Sequence, residues 1–166
     1  MMQHTISVLV ENKFGVLARV AGLFSGRGYN IESLTVSPTN DTKLSKMTIV
    51  TMGDAAVLEQ IEKQLNKLID VIKVTDLTGH SFIERELALV KVKTTGKTRA
   101  ELMQITEIFQ GKIVNVRPDE LTIEISGRAD KIDAFAKLMD EFGIIELVRS
   151  GRVAVTRNRG ATDEEP

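Results

Sequence analysis

Apolar residues along this chain recur with a period of two, then near three and a half, and the order of those switches runs through twice. In the first pass residues 5–10 alternate, with Ile6, Val8 and Val10 on one face. Helical spacing follows at Val16, Val20, Leu23 and Phe24, and Gly26 and Gly28 are placed to stop that helix. Residues 31–37 and 46–52 read as the strands of a hairpin around Pro38, Thr39, Asn40 and Asp41. Asp54 is placed as the N-cap of a helix with Leu58, Ile61, Leu65 and Leu68 on one stripe, and residues 71–77 give a last strand.

The second pass begins with a strand at 84–93 and a capping box from Thr98 to Glu101. Its first helix carries Leu102, Ile105, Ile108 and Phe109, with Gly111 as the stop. A hairpin of 112–116 and 121–125 precedes a helix with Ile132, Phe135, Leu138, Met139 and Phe142 inward, closed by Gly143. Residues 144–148 complete the unit, and 153–155 can add an edge strand. Each pass is βαββαβ, so the fold class is α+β, two ferredoxin-like units in tandem. The boundaries read as 1–78 for the first domain, 79–83 for a linker, 84–157 for the second domain and 158–166 for a polar, disordered tail. Units of about 75 residues are marginal alone, which favours pairing between sheets or chains.

The residue inventory removes most chemistry. There is no cysteine, which excludes disulfides, thiolate metal sites and a cysteine nucleophile. The two histidines, His4 near the start and His80 in the linker, lack partners at ligand spacing and read as exposed. Glu84/Glu86 and Asp140/Glu141 read as solvated surface rather than a general acid and base. The glycines of Ser25-Gly26-Arg27-Gly28 end a helix instead of opening one, the wrong geometry for a phosphate loop. No catalytic residue and no metal ligand is assigned, and the chain reads as a non-enzyme.

A net charge of −1 provides no general field for nucleic acid or an anionic membrane. RNA-recognition domains share this element order but stack bases on aromatic residues of their central strands. Residues 46–52 and 121–125 contain no aromatic side chain. No apolar run is long enough to span a bilayer, and Met1-Met2-Gln3-His4 lacks the pattern of a signal peptide, so a cytoplasmic protein is expected.

Two segments stand apart. Glu11-Asn12-Lys13-Phe14-Gly15 ends a strand and opens a helix, so it offers free N–H groups and the positive end of a helix dipole. A carboxylate there gains roughly 0.3–1 kcal/mol from the dipole, besides its hydrogen bonds. Gly15 permits close approach to the backbone, and the Asn12 amide can accept from an ammonium and donate to a carboxylate. The second segment is Gly28-Tyr29-Asn30-Ile31. The same residues could simply shape a tight loop and a helix exit; residue types alone leave both readings open.

Residues 11–20, from Glu11 to Val20, followed by Gly22-Leu23-Phe24-Ser25-Gly26-Arg27-Gly28-Tyr29-Asn30-Ile31-Glu32-Ser33-Leu34, resemble an ACT domain. More narrowly, the run RGYNIESLTV at 27–36 resembles the small regulatory subunits of acetolactate synthase. Met47-Thr48-Ile49, the run from Leu58 to Leu65, Asp70-Val71, Glu84-Arg85-Glu86-Leu87 and Thr106-Glu107-Ile108-Phe109 with Gly111 extend the resemblance over nearly the whole chain. The resemblance implies a regulatory subunit that binds valine as effector and carries no cofactor of its own. Thiamine diphosphate, magnesium and FAD would sit on a large catalytic partner in branched-chain amino-acid biosynthesis.

The resemblance also implies a homodimer through side-by-side ACT domains, with the effector at the interface. Asn12, Gly15, Val16 and Leu17 would hold it from one subunit, and Asn30 and Ile31 would close it from the neighbour. Ser37, where many relatives have alanine, and Gln60 would lie close by. Leu17 and Ile31 could cup an isopropyl group, whose burial contributes roughly 1.5–3 kcal/mol. The second domain, hinged at Gly79-His80, would help contact the catalytic subunit. Two other readings remain at this point: an ACT-type sensor for another enzyme, and a ferredoxin-like RNA-binding protein.

Overall fold

The computed structural model describes residues 2–157; the expected tail at 158–166 lies outside the described residues. The elements run β1 (Met2–Glu11), α1 (Val16–Gly26), β2 (Ile31–Pro38), β3 (Leu44–Gly53), α2 (Ala55–Leu65) and β4 (Val71–Asp76). They continue as β5 (Phe82–Lys93), α3 (Arg99–Ile108), β6 (Lys112–Val116), β7 (Glu120–Gly127), α4 (Ala129–Asp140), β8 (Ile144–Arg149) and β9 (Val153–Thr156). Two antiparallel sheets result, with strand orders β2-β3-β1-β4 and β6-β7-β5-β8. This is the tandem ferredoxin-like arrangement expected from the doubled hydrophobic pattern.

In the first unit the inward positions of β1, Ile6, Val8 and Val10, pack with Met47 and Ile49 of β3 under Val16, Val20 and Phe24 of α1 and Ile61 and Leu65 of α2. In the second, Ala88, Val90 and Val92 of β5 pack with Leu121, Ile123 and Ile125 of β7 under Leu102, Ile132, Phe135 and Met139. Phe109 and Phe135 meet edge to face at 5.3 Å, the geometry that aromatic quadrupoles favour.

The helix signals held unevenly. Asp54 caps α2 as expected, its Oδ1 accepting from the Val57 N–H at 2.9 Å. The capping box at Thr98 does not form. Thr98 has helical backbone angles, and its hydroxyl oxygen instead accepts from the Thr95 N–H at 2.9 Å in a closed turn. The left-handed residue after α3 is Gln110, not Gly111. Gly111 is required for another reason: a Cβ there would come within 3.2 Å of the Glu124 carbonyl oxygen.

Within the described residues, contacts group 2–83 with 152–157 and leave 84–151 as the other unit. β9 does add an extra strand, pairing with β5, whose first residues belong to the first unit. However, the segment it lies in is tied to the first unit by side chains. The Thr35 hydroxyl donates to the Arg152 carbonyl at 2.6 Å, and the Arg152 guanidinium donates to Gln3 Oε1 at 2.6 Å. Isolated valines at 153 and 155 gave no sign of which sheet they would join.

Alternation along β1 and β3 turns Thr5, Ser7, Thr48 and Val50 away from the helices, yet all four are buried. Ala154, Val155 and Thr156 face Ser7, Leu9 and Leu77 across a small cavity of about 130 Å³ on that side. Residues 152–156 therefore lie over the open face of the first sheet.

Candidate functional site

The loop after β1 is held at three points. The Glu11 N–H donates to the Asp70 carbonyl at 2.9 Å, and the Asn12 N–H to the Lys43 carbonyl at 2.7 Å. The Asn12 side-chain amide donates to the Thr42 carbonyl at 2.9 Å, fixing the loop to the β2–β3 turn. Gly15 then turns the chain into α1 with φ 82°, in the left-handed region, where a Cβ brings steric strain. No side chain caps α1, and its first turn holds no acidic residue. The N–H groups of Leu17 and Ala18 have no acceptor among the described residues. An exposed helix N-terminus in this state suits an anion.

The charges agree. Lys13 pairs with Glu11, and the hydrogen bond it donates to that carboxylate holds the Lys13 ammonium above its ordinary pKa. Arg19 donates to Asp70 Oδ2 at 2.5 Å, and its Nη1 lies 3.6 Å from where a Cβ on Gly15 would be. Arg19 was not singled out from the sequence, although one helical turn separates it from Gly15 and so faces it toward the loop.

The expected site residues do not all meet in one chain. Asn12, Gly15 and Leu17 cluster at the loop, with Leu17 42% exposed. The Val16 side chain is buried in the core, which leaves its backbone as the part facing the loop. Asn30 and Ile31 lie at the other end of the sheet, where Ile31 pairs with Thr51 and Thr51 with His4. Glu11 is seven residues farther along β1, about 24 Å away at ~3.4 Å per residue. Asn30 is occupied locally: its carbonyl accepts from the Thr51 hydroxyl at 2.6 Å and its amide donates to Glu32. Ser37 pairs with Lys46 near the loop's end of the sheet, but alternation puts its side chain on the face away from the helices. Gln60 is exposed on α2 with no hydrogen bond to the loop.

Two residues read as surface are buried. His4 is 3% exposed and Glu86 5%, whereas His80 is exposed as expected. Both continue an inward alternation by one step, His4 ahead of Ile6 and Glu86 ahead of Ala88, and that period-two signal was present in the sequence. Arg149 grips Glu86 through Nε at 2.7 Å and Nη2 at 2.8 Å, and reaches Asp133 at 2.6 Å. The two carboxylates hold the Arg149 guanidinium firmly in its charged form. Among the described residues no group of histidines and carboxylates is arranged to hold a metal ion, and no helix is long and apolar enough to cross a membrane.

Similarity to known proteins agrees with this architecture. Residues 6–73 match the family model for the ACT domain of acetohydroxyacid synthase (AHAS) small subunits, and residues 85–158 match that for the small subunit of acetolactate synthase. The chain is 54% identical over 157 residues to the acetolactate synthase isozyme 3 small subunit of Salmonella typhimurium, covering 94% of this chain and 96% of that one. It is 55% identical over 156 residues to a probable acetolactate synthase small subunit of Archaeoglobus fulgidus, covering 94% and 98%. The crystal structure of the Thermotoga maritima acetolactate synthase small subunit superposes with a TM-score of 0.86 at 42% identity, over 95% of this chain and 99% of that chain. The chain belongs to the family of acetolactate synthase small subunits.

Proposed function

We propose that this protein is the non-catalytic regulatory subunit that activates a cytoplasmic, thiamine-diphosphate-dependent acetolactate synthase and makes it sensitive to valine. The catalytic partner would carry the thiamine diphosphate, magnesium and FAD. The uncapped start of α1, with Gly15 left-handed and Arg19 beside it, carries this reading. There the amino acid's carboxylate would meet free N–H groups, the helix dipole and a guanidinium. The Asn12 side-chain oxygen faces no donor among the described residues and would accept from the ammonium.

The separation of Asn30 and Ile31 from that loop fits a site made by two copies. β2 is an edge strand, with β3 as its neighbour on one side. Pairing two β2 strands antiparallel about a two-fold axis would set the Ile31 end of one copy against the Pro38 end of the other. That brings the neighbour's Asn30 and Ile31 toward the loop. Effector binding would then stabilise the dimer by linkage. Inhibition further requires that valine bind the inhibited holoenzyme more tightly than the active one.

Titration calorimetry with valine on the intact protein tests the reading, with leucine, threonine and serine as controls. Saturable, valine-preferring heat is expected. Gly15→Asp should abolish it by placing a carboxylate where the ligand's carboxylate belongs. Gly15→Ala imposes the same backbone strain, about 1–2 kcal/mol, without the charge, and should retain measurable binding. Equal valine affinity in folded Gly15→Asp protein would remove this loop from the site.

A further inference from the structure

On the face of the first sheet turned away from α1 and α2, residues 154–156 close a cavity of about 130 Å³ against β1, β3 and β4. The pairing of these three strands sets the cavity wall in rows. Leu9 lies between Lys46 and Lys73, and two residues back Ser7 lies between Thr48 and Thr75. One row further, the Leu77 N–H donates to the Thr5 carbonyl at 2.8 Å. Along the cavity the lining therefore passes from the ammonium groups of Lys46 and Lys73, through the hydroxyls of Ser7 and Thr75, to the hydrocarbon of Leu77. Thr156 adds a third hydroxyl from the covering segment. Ser7 is 7% exposed, yet its hydroxyl borders the cavity and has no hydrogen-bond partner among the described residues. A buried hydroxyl left unbonded costs free energy unless something in the cavity meets it. The space exceeds the roughly 10–15 Å³ that a single water needs.

The corresponding face of the second unit is built differently. Ile6 pairs with Asp76 of β4 as Ala88 pairs with Arg149 of β8. Ser7 therefore corresponds to Leu89, Leu9 to Lys91, Lys73 to Glu146 and Thr75 to Val148. In the second unit Lys91 and Glu146 neutralise each other at 3.1 Å, and Leu89 and Val148 offer no hydrogen bond. In the first unit the described residues that line the cavity include no carboxylate, and Lys46 forms no ion pair or side-chain hydrogen bond with any described residue. Cationic and hydroxyl groups thus gather on one sheet at positions that are charge-balanced or apolar on the other.

We propose that this cavity binds a short carboxylic acid that carries an oxygen on its second carbon and no ammonium group. The carboxylate lies toward Lys46, where a charge-assisted bond forms. The 2-hydroxy or 2-oxo oxygen meets the hydroxyls of Ser7 and Thr75, which can both donate and accept. The alkyl end lies toward Leu77. This order of groups matches the order of the rows in the wall. An amino acid of the same size is disfavoured because its ammonium would be held beside lysines of like charge. The site is on the opposite face of the sheet from α1 and stands whether or not the Gly15 loop binds valine.

Methyl resonances of the intact protein report on the cavity separately from the loop. Titration with lactate or pyruvate should shift the methyls of Leu9, Leu77 and Ala154 saturably and leave Leu17, beside Gly15, unmoved. Alanine, which puts an ammonium where lactate has its hydroxyl, should have no saturable effect on the cavity methyls. Propionate, which has neither, should bind several-fold more weakly than lactate. Lys46→Gln, at an exposed position, should weaken lactate binding about tenfold, equivalent to ~1.4 kcal/mol. Ser7→Ala should weaken it about fivefold, the ~1 kcal/mol of one neutral hydrogen bond. Absence of a saturable shift with both acids would mean that the cavity holds water only and would overturn the proposal. So would an equal response to alanine, or unchanged lactate affinity in folded Lys46→Gln and Ser7→Ala proteins.

Discussion

β1 and β5 begin their respective units in the same topological position, and each buries a polar side chain one step before its apolar run. In β5 that residue is Glu86, gripped by two bonds from Arg149. In β1 it is His4, with no hydrogen bond at all. The helix starts differ in the opposite sense. α3 follows a turn closed by hydroxyl bonds between Thr95 and Thr98, whereas α1 starts from a left-handed glycine with no cap. At these two places the second unit satisfies its polar groups internally; the first leaves the His4 ring at one end and helix N–H donors at the other without partners among the described residues. Identical strand order therefore does not imply identical duty.

The sharpest way to break this contrast is Arg149→Ala. Removing the guanidinium leaves Glu86 as an uncompensated buried charge, which costs about 3 kcal/mol, near the lower end for such pairs because Arg149 is partly exposed. Native-state hydrogen exchange should show the loss in β5, β7 and β8 and leave β1 and β3 protected. Equal loss in both sheets would mean the units are not energetically separate.

Ending the chain after Gly151 tests the covered face. Val50, 1% exposed, and its neighbours Thr5, Ser7 and Thr48 would face water. Re-exposing one such valine costs about 2 kcal/mol, and exchange in β1 and β3, and in the start of β5 that β9 pairs with, should accelerate while β7 and β8 are unaffected. A smaller effect is expected at the one helix start with a side-chain cap: Asp54→Ala should cost about 1 kcal/mol, read as a lower urea midpoint for the first unit.

The smallest effect concerns pH. Burial raises the Glu62 carboxyl pKa above its unfolded value, so the folded state keeps that proton to higher pH than the unfolded state does. Stability from this group is present at acid pH and is lost as pH rises through the carboxylate range. Glu62→Gln should therefore be slightly more stable than the parent at neutral pH, with the difference vanishing in acid. A difference of the opposite sign, measured by urea midpoints at both pH values, would show that Glu62 is stabilised as a carboxylate.

Both sheets and all four helices were legible because their cores are strictly periodic, from Ile6, Val8 and Val10 to Ala88, Val90 and Val92. His4 and Glu86 obey the same period but were read by residue type instead, which hid two buried positions. Arg19 escaped notice because its importance comes from Asp70, fifty-one positions away, and pairings at that range leave no local pattern. The same holds for Arg152, whose partners Gln3 and Thr5 lie at the far end of the sequence. At the candidate site, Asn12 and Gly15 were readable because a strand end, a loop and a helix start are local features. The distance of Asn30 from that loop was not, since it depends on how β2, β3 and β1 pair.

The connection between Arg152 and Gln3 affects how the protein is made. The first unit is discontinuous, with all of 84–151 placed between its body and its closing segment. Nascent chains generally fold domain by domain in the order they leave the ribosome. Here that order inverts for the final step. Residues 84–151 are complete in sequence before residue 152 is added, so the second unit can finish while β1 and β3 still lack their cover. The part of the protein translated first is the last to be sealed, and any nascent chain stalled before Arg152 presents Thr5, Ser7, Thr48 and Val50 to chaperones or to other strands.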